Sequence, residues 1–342
     1  MTDFVGVDAV RQWLTGAGVP AGVEGMVGYL EEDFRRWPSF DKTSRVASHT
    51  PLGVIELMPV SGPDLYAFKY VNGHPSNPAR GLQTVTAFGV LAEVHNGYPV
   101  FVAEMTLLTA LRTAATSAMA TRALARPDAA VLALVGAGSQ AEFQAVALRA
   151  VLGIERLRVF DVDGAASEKL VRNLAPLGFH VQVCASASEV ARGADVITTC
   201  TADKTQAQVL ADADVAPGTH VNAIGGDCPG KTELDPAILD RASVFVEHAP
   251  QTRVEGEIQN RSADFPVTEL WEVLAGRRPG RTDPAQVTVF DSVGFALEDY
   301  SALRYVRDAL AGSDLVRDID LVASPADPKD LFGFALSPVP VG

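Results

Sequence analysis

Six apolar residues, Ala130-Val131-Leu132-Ala133-Leu134-Val135, run straight into Gly136-Ala137-Gly138-Ser139-Gln140-Ala141 and then into a segment with helical spacing. A short apolar run without alternation reads as a strand buried on both faces. A strand, a glycine turn and a helix in that order form the context that the dinucleotide fingerprint requires. Gly136 permits the tight turn and Gly138 lets the backbone approach a pyrophosphate. Ala141 stands where a third glycine is usual, a position that need only allow close packing of helix on strand. The helix start offers free N–H groups and a favourable dipole to phosphate. Its buried face would be Phe143, Val146, Ala147, Ala150 and Val151, with Gly153 ending it. Asp161 ends the next strand about twenty residues after Ala141, where a carboxylate accepts from ribose hydroxyls. It would repel a 2′-phosphate, so the motif favours NAD over NADP. A glycine turn beside a solvated aspartate is the plainer alternative, but strand, turn, helix and acid all fall in register.

The same pattern extends to the C-terminal side. Apolar runs at Leu157–Phe160, Val181–Val183, Val196–Thr199, His220–Ile224, Val244–Val246 and Val287–Asp291 alternate with helical segments. This order predicts a Rossmann-type, doubly wound parallel sheet covered on both faces. Thr198-Thr199-Cys200-Thr201 and the segment from Asn222 to Asp227 end two of these strands, where ligands bind in such sheets. Threonines there also serve as ordinary strand-end caps. Upstream, Val23–Trp37 reads as a helix, with Met26, Tyr29, Leu30 and Phe34 at helical spacing. Strand-like runs follow at Arg45–His49, Val54–Val60, Leu65–Val71, Thr84–Val94 and Val100–Met105, the last two joined by Asn96-Gly97 as a tight hairpin. A long helix, Thr106–Ala125, leads into the fingerprint strand. A final helix, Leu297–Leu310, precedes a tail with a strand-like stretch at Ile319–Ala323, too short to fold alone. The division expected is a discontinuous α+β domain for substrate binding and dimerisation, residues 1–112 and 313–342, around a nucleotide-binding domain, residues 113–312.

Composition narrows the function classes. The chain has 342 residues, 47% hydrophobic and 20% charged, which suits a large core. Its net charge of −14, without a run of Lys or Arg, argues against nucleic acid as a partner. Met1–Trp13 carries Asp3 and Asp8 and lacks the basic start and apolar run of a targeting signal. The most apolar region, Thr106–Ala125, contains Arg112 and Arg122, so no membrane span is expected. Cys184, Cys200 and Cys228 are odd in number and widely spaced, which points to a reducing cytoplasm. The six histidines show no ligand spacing, so no metal is expected.

Several charges sit in apolar or glycine-rich settings. Asp227, in Gly225-Gly226-Asp227-Cys228-Pro229-Gly230-Lys231, is a candidate base or an aspartate that shapes a turn. Lys69 alternates with Tyr66, Phe68 and Tyr70, and a lysine in such a strand more often faces solvent. Arg112 shares a helix face with Leu108, Ala115 and Met119, where a ligand or a structural ion pair would satisfy it. Glu56, between Ile55 and Leu57, invites the same two readings.

Long stretches of the chain resemble the ornithine cyclodeaminase/mu-crystallin family. They are Phe40-Asp41-Lys42 with Arg45–His49, Gly53–Pro59, Tyr66–Pro75, Ala110–Ala115, the loop from Gly225 to Glu233, and Val289–Gly294. The resemblance runs from about Asp33 to Phe332, and the Gly225–Glu233 run looks like the ornithine-cyclising branch. It implies that Arg45, Lys69 and Arg112 clamp a substrate carboxylate. Glu56 would hold a distal ammonium and, with Asp227 as acid and base, make up the catalytic pair. Thr84, Arg112, Gly136, Ala137, Gly138, Asp161, Thr201, Asn222, Gly225, Lys231 and Ser292 would contact NAD. It also implies a homodimer formed through the sheet of the first domain.

The implied reaction takes hydride from Cα of L-ornithine, closes a ring by attack of the distal amine, expels ammonia and returns the hydride to give L-proline. Three rivals share the fold: an NAD(P)-dependent amino-acid dehydrogenase or ketimine reductase, a cyclodeaminase preferring lysine, and a non-catalytic ligand-binding member. One methylene separates ornithine from lysine, worth only about 1–3 kcal/mol to a pocket.

Overall fold

A computed structural model describes residues 1–202 and 208–338. Two eight-stranded sheets organise it. The first is built from β1 (Thr2–Val5), β2 (Asp41–Lys42), β3 (Val46–Thr50), β4 (Gly53–Ser61), β5 (Leu65–Gly73), β6 (Ala87–Glu93) and β7 (Pro99–Glu104), together with a strand from the tail. Strands β4 to β7 form an antiparallel meander. Helices α1 (Val7–Ala17) and α2 (Val19–Arg35) precede it, and α3 (Thr106–Leu124) leaves it.

The second sheet is parallel in every pairing. Its strands are β8 (Val131–Val135), β9 (Arg156–Phe160), β10 (His180–Val183), β11 (Val196–Thr199), β12 (His220–Ala223), β13 (Ser243–Val246), β14 (Thr268–Glu269) and β15 (Thr288–Asp291). Their spatial order is β10-β9-β8-β11-β12-β15-β13-β14, so the winding reverses between β8 and β11. That reversal opens the crevice where such sheets bind ligands. Helices α4 (Ala141–Leu152), α5 (Gly164–Leu174), α6 (Ala187–Ala191), α7 (Pro236–Arg241), α8 (Ala249–Glu255) and α9 (Leu270–Leu274) lie between the strands. The predicted Rossmann-type sheet is therefore present. Every strand expected there forms, to within a residue or two at its ends.

Two helices tie the sheets together. Twelve of the nineteen residues of α3 are buried, because it packs on α2, α4 and α10 (Ala296–Leu310) and reaches β6, β12 and β15. Helix α10 follows β15 in the second sheet but packs on β4, β5 and β6 of the first, as well as on α2. Its connection, Ser292 to Phe295, thus crosses from one sheet to the other. After α10, β16 (Arg317–Ile319) pairs antiparallel with β1, so the tail does return to the first sheet. A short helix, α11 (Leu331–Leu336), ends the described chain.

Local details differ from the sequence reading. Residues 84–86 precede β6 rather than extend it. Asn72 accepts from the Thr86 N–H at 2.8 Å, holding that segment by a side chain. Asn96-Gly97 lies in a five-residue loop, Val94 to Tyr98, with Gly97 at φ +76° and a bulge at Leu91/Ala92. On α4, Phe143, Ala150 and Val151 are only half-buried, whereas Gln144, Ala145 and Leu148 are buried because α2 and α3 cover a wider face. Gly153 ends the helix at φ +73° as expected.

The first sheet inverts the usual amphipathic pattern. On β4, Glu56 shares the buried face with Val54, Met58 and Val60, while Ile55 and Leu57 point outward. On β5, Lys69 is buried with Ala67 and Val71, and Tyr66 lies on the open side. The solvated position expected for Lys69 is thus corrected: helix α10 covers its face and supplies its partner.

Candidate active site

The glycine turn after β8 sits against the end of β11. Gly136 has φ +103°, and a Cβ there would stand 2.8 Å from the Cys200 carbonyl oxygen. No L side chain fits that conformation and that approach together. A Cβ on Gly138 would meet nothing within 4 Å, so backbone there is open to a ligand. Asp161 Oδ2 accepts from the Ala137 N–H at 2.6 Å, and Oδ1 accepts from the Asp163 N–H at 2.8 Å. Each carboxylate oxygen retains a lone pair for a ribose hydroxyl. No side chain caps the start of α4, so its N–H groups stay available to phosphate. Glu142 in its first turn is paired with Lys169 at 2.9 Å, which offsets its charge. The residue after Asp161 is the exposed Val162, not a cation suited to a 2′-phosphate. These features fit an NAD dinucleotide.

On the far side of the crevice, Thr201 donates its N–H to Glu233 at 2.9 Å, and its hydroxyl bonds the same carboxylate. A Cβ on Gly225 would fall 2.1 Å from that carboxylate, which is why a glycine is needed. Lys231 donates to the Thr201 carbonyl at 3.0 Å and lies 3.5 Å from Asp227. Buried though it is, its charged form is favoured by Asp227 and Glu233. Lys231 therefore connects the nucleotide side to Asp227, whose side chain is 55% exposed at the mouth of the site.

The crossing segment and α10 assemble a second cluster. Lys69 donates to Asp299 Oδ1 at 2.8 Å, and Arg112 bonds Glu298 and approaches Asp299 at 3.0 Å. Arg45 donates to Glu56 at 3.1 Å and to the Gly294 carbonyl at 2.7 Å, and its Nε lies 3.1 Å from Glu255. Gln251 accepts from the Arg45 N–H at 3.2 Å and donates to the Gly294 carbonyl at 2.9 Å. Gly294, at φ +74°, leaves no room for a Cβ beside Arg112. Ser292 donates to Glu247, which also accepts from the Val293 and Gly294 N–H groups and so fixes the crossing. Arg45, Lys69 and Arg112 are thus three buried cations around one loop, facing Glu56, Glu255, Glu298 and Asp299.

Burial sets the protonation of this cluster. Lys69 is pushed down to about 8 by burial and then by Arg112, against the pull of Asp299. Glu255 is pushed up to about 7 by burial, with Glu56 and Asp227 adding to it and Arg45 opposing. Burial also raises Glu298. The Arg112–Asp299 and Arg45–Glu255 contacts are close but misaligned for hydrogen bonding. Arg45 Nε, Arg112 Nε, Glu255 Oε2 and Asp299 Oδ2 are buried without an aligned partner. Buried polar groups are nearly always satisfied, so these four atoms have hydrogen-bonding capacity that a polar ligand can use.

Two expected contacts stand apart. Thr84 lies in the segment before β6, its carbonyl accepting from the His74 N–H. The Asn222 side chain is fully buried: its amide donates to Thr121 at 2.9 Å and its oxygen accepts from His220 at 3.1 Å. Burial drives His220 down to about 3, so that network is neutral. Glu255, Glu298, Asp299, Glu247 and Glu233 were not singled out from sequence. Acids at the start of α10 read as routine helix capping, and Glu298 does accept from the Phe295 N–H. No group of His, Cys, Asp and Glu suited to a metal exists among the described residues.

Comparison with known proteins agrees with this arrangement. A protein of Brucella suis named ornithine cyclodeaminase is 57% identical over 333 residues, covering 97% of this chain and 93% of that one. A solved lysine cyclodeaminase, studied for recognition of L-lysine, L-ornithine and L-2,4-diaminobutyric acid, superposes with a TM-score of 0.89 at 34% identity, covering 97% and 99%. An archaeal alanine dehydrogenase dimer with bound NAD superposes with a TM-score of 0.82 at 31% identity, covering 90% and 96%. Residues 17–314 match the ornithine cyclodeaminase/mu-crystallin family, and the chain belongs to it.

Proposed function

We propose that the protein converts L-ornithine to L-proline and ammonia, using NAD that is regenerated within each turnover. The observation that carries this reading is the buried cluster of Arg45, Lys69 and Arg112 against four carboxylates, linked through Asp227 and Lys231 to the glycine-turn crevice. The relatives named ornithine cyclodeaminase, at 54–57% identity over nearly the whole chain, support the substrate. NAD, when bound, supplies hydride acceptance and return. The reaction balances without an external oxidant: ornithine loses one ammonia and closes one C–N bond.

In this reading the cations orient the substrate. Arg45, Lys69 and Arg112 hold the α-carboxylate and turn Cα toward the crevice. Glu56 holds the distal ammonium. Asp227, at the mouth, accepts the proton that the ammonium must lose before the amine attacks. Burial of the cluster keeps water from the imine, which would otherwise hydrolyse to a keto acid. Gly136, Ala137, Gly138, Asp161, Thr201, Gly225, Lys231 and Ser292 line or brace the cofactor crevice, Thr84 and the Asn222 backbone completing the set. Residues 1–112 and 313–342 would form the substrate and dimerisation domain and 113–312 the nucleotide domain, with α10 crossing to the former.

A homodimer through the first sheet is supported by its open face, where Val46, Ile55, Leu57, Tyr66 and Phe88 are all exposed. No described helix is long and apolar enough to cross a membrane. We place the enzyme in the cytoplasm. The Asp227→Asn variant should bind NAD normally and lose at least about 100-fold in turnover, the usual worth of a general base. Turnover within a few-fold of normal would refute the role of Asp227.

A further inference from the structure

Acids outnumber cations in the ion-paired cluster. Three cations, Arg45, Lys69 and Arg112, face four carboxyl groups, Glu56, Glu255, Glu298 and Asp299. Burial raises Glu255 and Glu298, so the surplus acids hold protons rather than bare charge. A ligand with an α-carboxylate and two ammonium groups brings one net positive charge that can replace such a proton, whereas a ligand with a single ammonium brings none. An acid-rich site of this kind favours the second ammonium, and one carboxylate must receive it.

Glu56 is not alone in that position. It accepts an aligned hydrogen bond from Arg45 Nη1, whereas Glu255 meets Nε at 3.1 Å without alignment. Glu255 Oε2 is buried and lacks a hydrogen-bond donor. Glu298 accepts from Arg112 and the Phe295 N–H; Asp299 Oδ2 also lacks an aligned donor, but Asp299 is already engaged by two cations, Lys69 and Arg112, whereas Glu255 meets Arg45 alone. The groups facing Glu255 are Arg45, Glu56 on β4, Asp227 in the glycine-rich loop and Gln251 on its own helix α8. It thus contacts Arg45 and feels the charge of the residue proposed to accept the proton.

We propose that Glu255, with Glu56, anchors the distal ammonium of the substrate, so that a diamino acid is recognised by two carboxylates flanking one arginine. This rests on the ornithine reading above. In the free protein a proton fills the place: Glu255 is raised to about 7 by burial, then by Glu56 and Asp227. The ammonium displaces that proton on binding. Asp227, whose charge acts on Glu255, is the group proposed to take the next one from the ammonium.

The test uses protein loaded with NADH, which cannot take hydride from the ligand, and two ligands of equal carbon chain, L-ornithine and L-2-aminopentanoate, which lacks the distal amine. Glu255→Gln should raise the dissociation constant for ornithine roughly 10- to 100-fold, the loss of one charge-assisted contact, and move that of 2-aminopentanoate less than about twofold. Equal loss for both ligands would make Glu255 a support for Arg45 only, and no loss for ornithine would remove it from the site; either overturns the proposal. Calorimetry of the unaltered protein in buffers of different ionisation enthalpy gives a reading that does not need the variant to fold. Near pH 7, ornithine should release roughly half a proton and 2-aminopentanoate almost none. Equal proton release for both contradicts the proposal. Protein that binds ornithine in this way but forms no proline would sink the cyclodeaminase reading and leave Glu255's role standing, while proline formation with unchanged Glu255→Gln affinity would do the reverse.

Discussion

Burial and the neighbouring Arg112 push Lys69 down to about 8, while the Asp299 carboxylate pulls it back. A lysine with a lowered value holds its charge below that pH and loses it above. One of the three cations proposed to hold the substrate carboxylate is therefore titratable near neutrality, while the arginines are not. Pentanoate has no amine to titrate, and Glu255, raised to about 7, and Glu298, raised to about 8, gain charge over the range in which Lys69 loses it. All three changes weaken anion binding, so the dissociation constant of pentanoate should rise from about pH 7 and keep rising above pH 8, up to about tenfold per unit for each group. A constant value up to about pH 9.5 would contradict the placement of Lys69 at the carboxylate. Sequence singled out Lys69, Glu56 and Arg112 because charge in an apolar strand or helix needs a reason, and Arg45 through the family resemblance. It could not show which way Lys69 points, since alternation with Tyr66, Phe68 and Tyr70 suits either face. The answer depended on α10, more than two hundred residues further along the chain. The partners Glu298 and Asp299 were hidden for the opposite reason: acids at a helix start already have an ordinary explanation.

At the level of elements, the strand-turn-helix around Gly136 was legible because three local requirements coincide: a buried strand, a positive φ and an uncapped helix start. Gly136→Ala should cost about 1–3 kcal/mol of stability from the left-handed conformation and the contact with the Cys200 carbonyl. It should also weaken NAD binding about tenfold or more, because the turn and the end of β11 must part. Chemical denaturation and cofactor titration measure the two effects, and full NAD affinity with unchanged stability would contradict the account. Elements made by long-range pairing were harder to read. β1 is only four residues long and is held between β7, in the first third of the chain, and β16, near its other end. Asn222 sits at a strand end, as its motif suggested, but its side chain turns inward to Thr121 on α3. The strand pattern gives the position of a residue along the sheet, not which neighbouring helix claims its side chain.

Across the whole molecule, function depends on a segment that belongs to both sheets. β15 ends the parallel sheet, Ser292 to Gly294 cross over, and α10 carries Glu298 and Asp299 to β5 and α3 of the other side. The cations proposed to hold the substrate and the turn that fits the cofactor are thereby set in one frame. In the proposed reading that frame accounts for a complete redox cycle on one ligand, with the imine retained where hydride was removed until the ring has closed. A dehydrogenase on the same fold would release its reduced cofactor instead. The direct measurement supplies L-ornithine in large molar excess over NAD, and follows proline, ammonia and NADH absorbance together. The account predicts many turnovers to proline and ammonia in equal amounts with no accumulation of NADH. NADH rising in step with product, or product that stops when the added NAD is spent, would contradict it.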